Sequence, residues 1–177
     1  DLQGLLDKLD YLQSLGVTAI YLNPAFESPS NHKYDTTDFS EIDDNFGTQA
    51  VFEALSAAAH QRGMNIILDG VFNHASSDSV YFDRYHRYPE VGACESVTSP
   101  YRDWFYFQPA PIPGTGVCAG DTVYTSWFGY DSLPKFNSTN PAVRGLIWAD
   151  GLNSIAPFWM QWADGFRLDV AGAVDPG

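Results

Sequence analysis

The run Gly165-Phe166-Arg167-Leu168-Asp169-Val170-Ala171 places an arginine two residues before an aspartate inside an apolar stretch. On an extended strand, residues two apart project from the same face, so the guanidinium and the carboxylate are neighbours. A fixed positive charge beside a carboxylate favours its ionised form, and a nucleophile attacking an electron-poor carbon needs that form. A buried ion pair that closes the end of a strand is the alternative, and an isolated R-x-D does not separate the two. Asn23, and then Asp69, Asn73 and His74, follow apolar runs in the same way.

The elements behind these residues repeat. Leucines at 2, 5, 6, 9, 12 and 15 predict an amphipathic helix from Asp1 to Gly16, and Val17 to Leu22 reads as a buried strand. A helix from Thr48 to about Arg62, a stop at Gly63 and a strand from Met64 to Leu68 ending in Asp69 follow. The third unit has Ser154 as N-cap, a helix through Trp162 and the strand Gly165 to Val170. Helix-then-strand units with apolar strands predict a parallel sheet covered by helices. Chemistry at the C-terminal ends of parallel strands fits a (β/α)₈ barrel, and an open doubly wound sheet fits the same pattern. Residues from about Ala75 to Asn140 lack helical periodicity, hold most of the prolines and are rich in aromatics, expected mostly as a small core with a few lining a groove.

Composition sets outer limits. The 177 residues are 45% hydrophobic and 15% aromatic, which is enough for a folded core. Twenty-two acidic against nine basic residues give a net charge of -13, which argues against nucleic acid and membrane surfaces as partners. No apolar run approaches the roughly 20 residues of a membrane span, and no basic-then-apolar leader opens the chain. Cys94 and Cys118 are either bridged or free; the bridge is the preferred reading, since no metal-like spacing surrounds them, and it implies secretion or the cell envelope.

Four ordered motifs carry a resemblance. Asp69-Gly70-Val71-Phe72-Asn73-His74 and Gly165-Phe166-Arg167-Leu168-Asp169 resemble the first two signatures of the α-amylase family, glycoside hydrolase family 13. Asn31-His32-Lys33-Tyr34-Asp35-Thr36-Thr37-Asp38-Phe39 is similar to that family's substrate loop, and Leu133-Pro134-Lys135-Phe136-Asn137 to the B-domain signature of its neopullulanase-like members. The resemblance implies part of a (β/α)₈ TIM barrel, about strands 2 to 4, with residues 1–74 and 141–177 in the barrel and 75–140 as an inserted irregular B domain. It implies Asp169 as nucleophile, Arg167 as the cation beside it, and Tyr34, Asp35, Asp69 and His74 as substrate-binding or bracing residues. A retaining mechanism on starch-like α-glucans or maltooligosaccharides follows, with a second carboxylic acid about 5 Å from the nucleophile.

In the family that acid is a glutamate after the fifth strand. No glutamate follows Glu95 here, so the chain is read as a fragment, inactive by itself. Asn73 matches a calcium ligand of many α-amylases, whereas the histidine those enzymes supply four residues after the nucleophile is Ala173, so calcium is a candidate through Asn73 with help from Asp78, Asp83, Asp103 or Asp121. No organic cofactor is implied. A transglycosylase of the same family, a non-catalytic glycan-binding relative and, more remotely, a metal-dependent hydrolase on Asp69, His74 and Asp169 are the competing readings. His32 is expected as an exposed loop residue that could touch sugar, and His60 and His86 as plain surface positions.

Overall fold

The computed structural model describes residues 1–174. In chain order its main elements are α1 (Leu2–Leu6), α2 (Leu9–Ser14), β1 (Ala19–Tyr21), β2 (Phe26–Glu27), β3 (Asp38–Ile42), α3 (Gln49–His60) and β4 (Asn65–Gly70). They continue with β5 (Phe107–Pro109), β6 (Thr122–Tyr124), α4 (Pro141–Arg144), α5 (Ile155–Trp159) and β7 (Gly165–Leu168). The parallel sheet runs in the order β1-β4-β7. Its register sets Tyr21 beside Ile67 and Asp69 beside Arg167, so the functional ends of three strands lie together.

The leucine periodicity of the first fifteen residues yields two short helices rather than one. Asp1 caps α1 by accepting from the Gly4 amide, and the helix breaks at Asp7 and Lys8, with Leu2 and Leu9 buried. Thr48 caps α3 as its sequence position predicts, accepting from the Val51 amide, and Phe52, Leu55 and Ala59 form its buried stripe. Ser154 precedes α5, but its hydroxyl donates to the Gly145 carbonyl instead of capping. The helix ends at Trp159, three residues short of the expected Trp162.

Trp159 anchors the barrel-side core. Its indole N–H donates to the Phe39 carbonyl at 2.8 Å, and its ring meets Phe26 at 5.0 Å and Phe52 edge-on at 5.5 Å. A second core fills the irregular segment: Phe82 packs edge-on against Tyr124 at 4.6 Å and Phe105 at 4.9 Å, and the Arg102 guanidinium lies 3.4 Å from the Phe107 ring centroid. Phe136 joins the two cores, stacking on Phe105 at 5.1 Å and approaching Phe39 at 6.5 Å. Most of the aromatics of the segment are therefore packing residues.

Cys94 and Cys118 are bridged across 24 positions of a segment whose regular structure is limited to the β5–β6 pair and single turns. Cross-linking a loop of this length removes unfolded-state freedom equivalent to about 3 kcal/mol. The Cys94→Ser/Cys118→Ser variant of the full-length protein should therefore lose about 3 kcal/mol in urea unfolding followed by tryptophan fluorescence. An unchanged midpoint would remove the bridge from the stability of this segment.

Candidate active site

At the C-terminal ends of β1, β4 and β7, one nitrogen ties two carboxylates together. Arg167 Nη1 donates to Asp169 Oδ1 at 2.7 Å and to Asp69 Oδ2 at 3.0 Å. The parallel register causes this: Arg167 and Asp69 are direct neighbours across β4 and β7, and Asp169 follows two residues on. Within this segment the Arg167 side chain is 47% exposed while those of Asp69 and Asp169 are 0% and 11% exposed. Its two carboxylate partners raise the guanidinium's pKa, the hydrogen bond to Asp169 most of all.

Asp69 is a brace. Its Oδ2 also accepts from the Tyr21 hydroxyl and, at 3.5 Å, from the Tyr34 hydroxyl. Burial pushes its pKa up, and the hydrogen bond from Tyr21 and the charge of Arg167 pull it back down only in part. Tyr21 and Tyr34 are both raised by burial first; next comes the hydrogen bond to Asp69 for Tyr21 and the Asp69 charge for Tyr34. Their phenols stay protonated donors at neutral pH.

His74 is 1% exposed, and both its ring nitrogens are engaged. Nε2 lies 2.9 Å from the Tyr34 carbonyl, which can only accept, so Nε2 carries the proton and Nδ1 accepts from Asn73 Nδ2 at 3.1 Å. Desolvation lowers its pKa, which fits that neutral tautomer. His74 thereby fixes the backbone of Tyr34 and stacks on Trp127 at 6.1 Å.

A cleft of about 410 Å³ opens over these groups, lined by His32, Tyr34, His74, Trp127, Tyr130, Ser132, Leu133 and Asp169. Asp169 is the carboxylate of this lining among the described residues. Asp35 is not part of it. Its carboxylate accepts from the Ser28 hydroxyl at 2.8 Å and from the Ser30 hydroxyl, which folds the loop carrying Tyr34 back on itself. Lys33 is buried in the same loop, with Nζ bonded to Asp43 and, at 2.8 Å, to the Ser28 carbonyl. Asn23 lines a separate depression with Leu2, Leu5 and Phe46, and Tyr21 supplies the polar group of β1 in its place.

Trp127, Tyr130 and Tyr21 escaped the sequence reading as site residues. The first two sit just before Leu133-Pro134-Lys135-Phe136-Asn137, and that proximity to a motif was the available signal. His32, in contrast, does reach the cleft, 6.0 Å from the Tyr34 ring. His60 and His86 are surface residues paired with Asp164 and Glu95.

Asn73 Oδ1 is buried and has no partner, but it is a single oxygen where calcium takes six to eight. Asp78 pairs with Arg87, Asp83 accepts the Arg87 and Tyr88 amides, and Asp121 accepts the Gly114 and Gly116 amides. Among the described residues no group of three or more His, Cys, Asp or Glu gathers to hold a metal. Among the described residues these side chains do not gather around Asn73 Oδ1 to fit the ion.

The family model for the α-amylase catalytic domain matches residues 1–176. The chain belongs to the α-amylase family. Its relatives include an amylopullulanase of Thermoanaerobacterium saccharolyticum, 47% identical over 98% of this chain and 14% of that protein. Neopullulanase 2 of Thermoactinomyces vulgaris is 41% identical over 99% of the chain and 28% of its own length. Among solved structures, the cyclic α-maltosyl-(1→6)-maltose hydrolase of Arthrobacter globiformis in complex with cyclic α-maltosyl-(1→6)-maltose superposes with a TM-score of 0.79 at 34% identity, covering 99% of this chain and 36% of that one. The α-amylase family segment described here thus spans well under half the length of each of these relatives. Its three parallel strands are an α/β part of the family's (β/α)₈ barrel.

Proposed function

We propose that this chain supplies the nucleophile and one wall of the substrate cleft to a retaining glycoside hydrolase acting on α-glucosidic bonds of starch-like polysaccharides. The observation that carries the reading is Asp169: a carboxylate at the end of β7, in an aromatic cleft, with one oxygen held by Arg167. Its other oxygen attacks the anomeric carbon, and the glycosidic C–O bond breaks as the leaving oxygen takes a proton from a general acid. A glycosyl ester forms and water then resolves it, returning the proton to that acid. The acid lies outside the cleft residues described here and comes from the rest of the protein, so this segment alone is inactive. The names of the relatives, amylopullulanase and neopullulanase, support the α-glucan class.

Asp69, Tyr21 and Tyr34 hold Arg167 and the cleft floor in place, and His74 fixes the loop that presents Tyr34. No metal enters any step. The Cys94–Cys118 bridge supports an extracellular or envelope location, where thiols oxidise. No helix among the described residues is long and apolar enough to cross a membrane.

Double displacement fixes a stereochemical outcome. Full-length protein acting on maltooligosaccharide should release product whose newly formed reducing end is first the α-anomer, read by proton NMR before mutarotation. Initial release of the β-anomer would mean single displacement by water and would remove Asp169 from the nucleophile's role.

A further inference from the structure

The turn Trp127-Phe128-Gly129-Tyr130 contains a residue that its backbone does not suit. Phe128 has φ 50° and ψ 22°, Gly129 has φ 79°, and the Tyr130 amide donates to the Trp127 carbonyl at 3.0 Å. Two left-handed residues closed by that bond make a type I′ turn, whose central positions take Asn, Asp or Gly. A bulky side chain at positive φ is a true outlier, and such strain persists only when the surroundings impose it. They do so here: the Trp127 amide donates to Leu133 at 3.0 Å and the Leu133 amide to Tyr130 at 2.9 Å, so the turn is locked from both sides.

Within this segment the phenylalanine repays none of this strain by burial. Phe128 is 85% exposed, the most exposed of the large hydrophobic side chains among the described residues, and its ring touches Trp127 edge-on at 4.8 Å. Trp127 lines the cleft and stacks both on His74 and, at 6.1 Å, on Tyr130, itself 59% exposed. Phe128 therefore continues, through Trp127, the row of rings that lines the cleft. Stability alone favours asparagine or glycine at this position.

We propose that Phe128 is a substrate-binding residue that stacks on a glucosyl unit of the α-glucan beyond those enclosed with Asp169, so that the protein favours long chains over short ones. A flat apolar ring held away from the protein suits the C–H face of a pyranose. The proposal rests on the α-glucan reading above and adds a preference for chain length.

The test compares full-length wild type with Phe128→Asn and Phe128→Tyr on maltotriose and maltoheptaose. For Phe128→Asn, KM for maltoheptaose should rise about 5- to 10-fold with kcat held, the change on maltotriose should stay within about 2-fold, and Tm should rise by a few degrees as the turn relaxes. Phe128→Tyr keeps the ring and the strain, and should match wild type on both counts. A higher Tm for Phe128→Asn with no change in KM for maltoheptaose overturns the proposal, and so does an equal loss on both substrates. A wild type that cleaves neither sugar shows instead that the α-glucan reading itself is wrong, and the proposal falls with it.

Discussion

Asp169→Asn in the full-length protein should lower kcat on α-glucan by about 10⁴-fold or more, the scale on which enzymes lose rate when a covalent nucleophile is removed. Asparagine is nearly isosteric and its Oδ1 still accepts from Arg167 Nη1, so the 2.7 Å contact survives and the fold has no reason to change. What disappears is a charged oxygen able to form the glycosyl ester. KM should move little, because Tyr34, Trp127 and Tyr130 still line the cleft. The smaller Asp169→Gly variant sharpens the result: azide with an activated α-glucosyl substrate should restore turnover and yield a glycosyl azide of inverted configuration, since an external anion then fills the nucleophile's place. Native rates from Asp169→Asn, with its melting temperature unchanged, would make Asp169 a structural acid and end the proposed mechanism.

The elements that carry this chemistry were legible because they obey strong local rules. A left-open helix terminus takes a threonine at position 48, and the apolar runs at 64–68 and 165–168 pair as parallel strands with polar residues at their ends, the first of them largely buried. R-x-D spacing placed Arg167 beside Asp169 without any knowledge of the fold. Its contact with Asp69 was inferred only by resemblance, since a register across 98 positions is set by tertiary packing. The polar partners of two motif residues were hidden for a cause of the same kind. Asp35 lies in a recognisable motif, yet two serines of its own loop claim its carboxylate; His74 lies in another, yet the Tyr34 carbonyl claims its proton. A motif gives the residue type at a position and leaves open which neighbour its polar atoms find. Trp127 and Phe128 were lost among many aromatics of the irregular segment because core rings and cleft rings have the same composition; only exposure and φ separate them.

Arg167→Met should be the second most damaging change, lowering kcat by about 10² to 10³-fold, the range seen when a preorganised electrostatic donor is removed. One nitrogen serves two carboxylates, so its loss leaves Asp169 without a donor to Oδ1 and Asp69 with like charge nearby and only phenols to oppose it. Arg167→Lys should recover part of the rate, because an ammonium restores the charge but cannot reproduce the guanidinium geometry. The stability of Arg167→Met has a pH signature. Asp69 already titrates above its ordinary 3.8 in the folded protein because it is buried, and Arg167 is among the groups that restrain that rise. A carboxylate raised by folding favours the folded state below its unfolded pKa, and that contribution is lost as pH climbs through the folded value. Removing Arg167 moves the folded value higher still and deepens the loss at neutral pH. The melting temperature of Arg167→Met should therefore fall below wild type by more at pH 7 than at acid pH, where protonation of Asp69 removes the charge that Arg167 offsets. A deficit that is constant across this range, or that grows on acidification, would show that Arg167 does not restrain Asp69 and that the two carboxylates are held by something else.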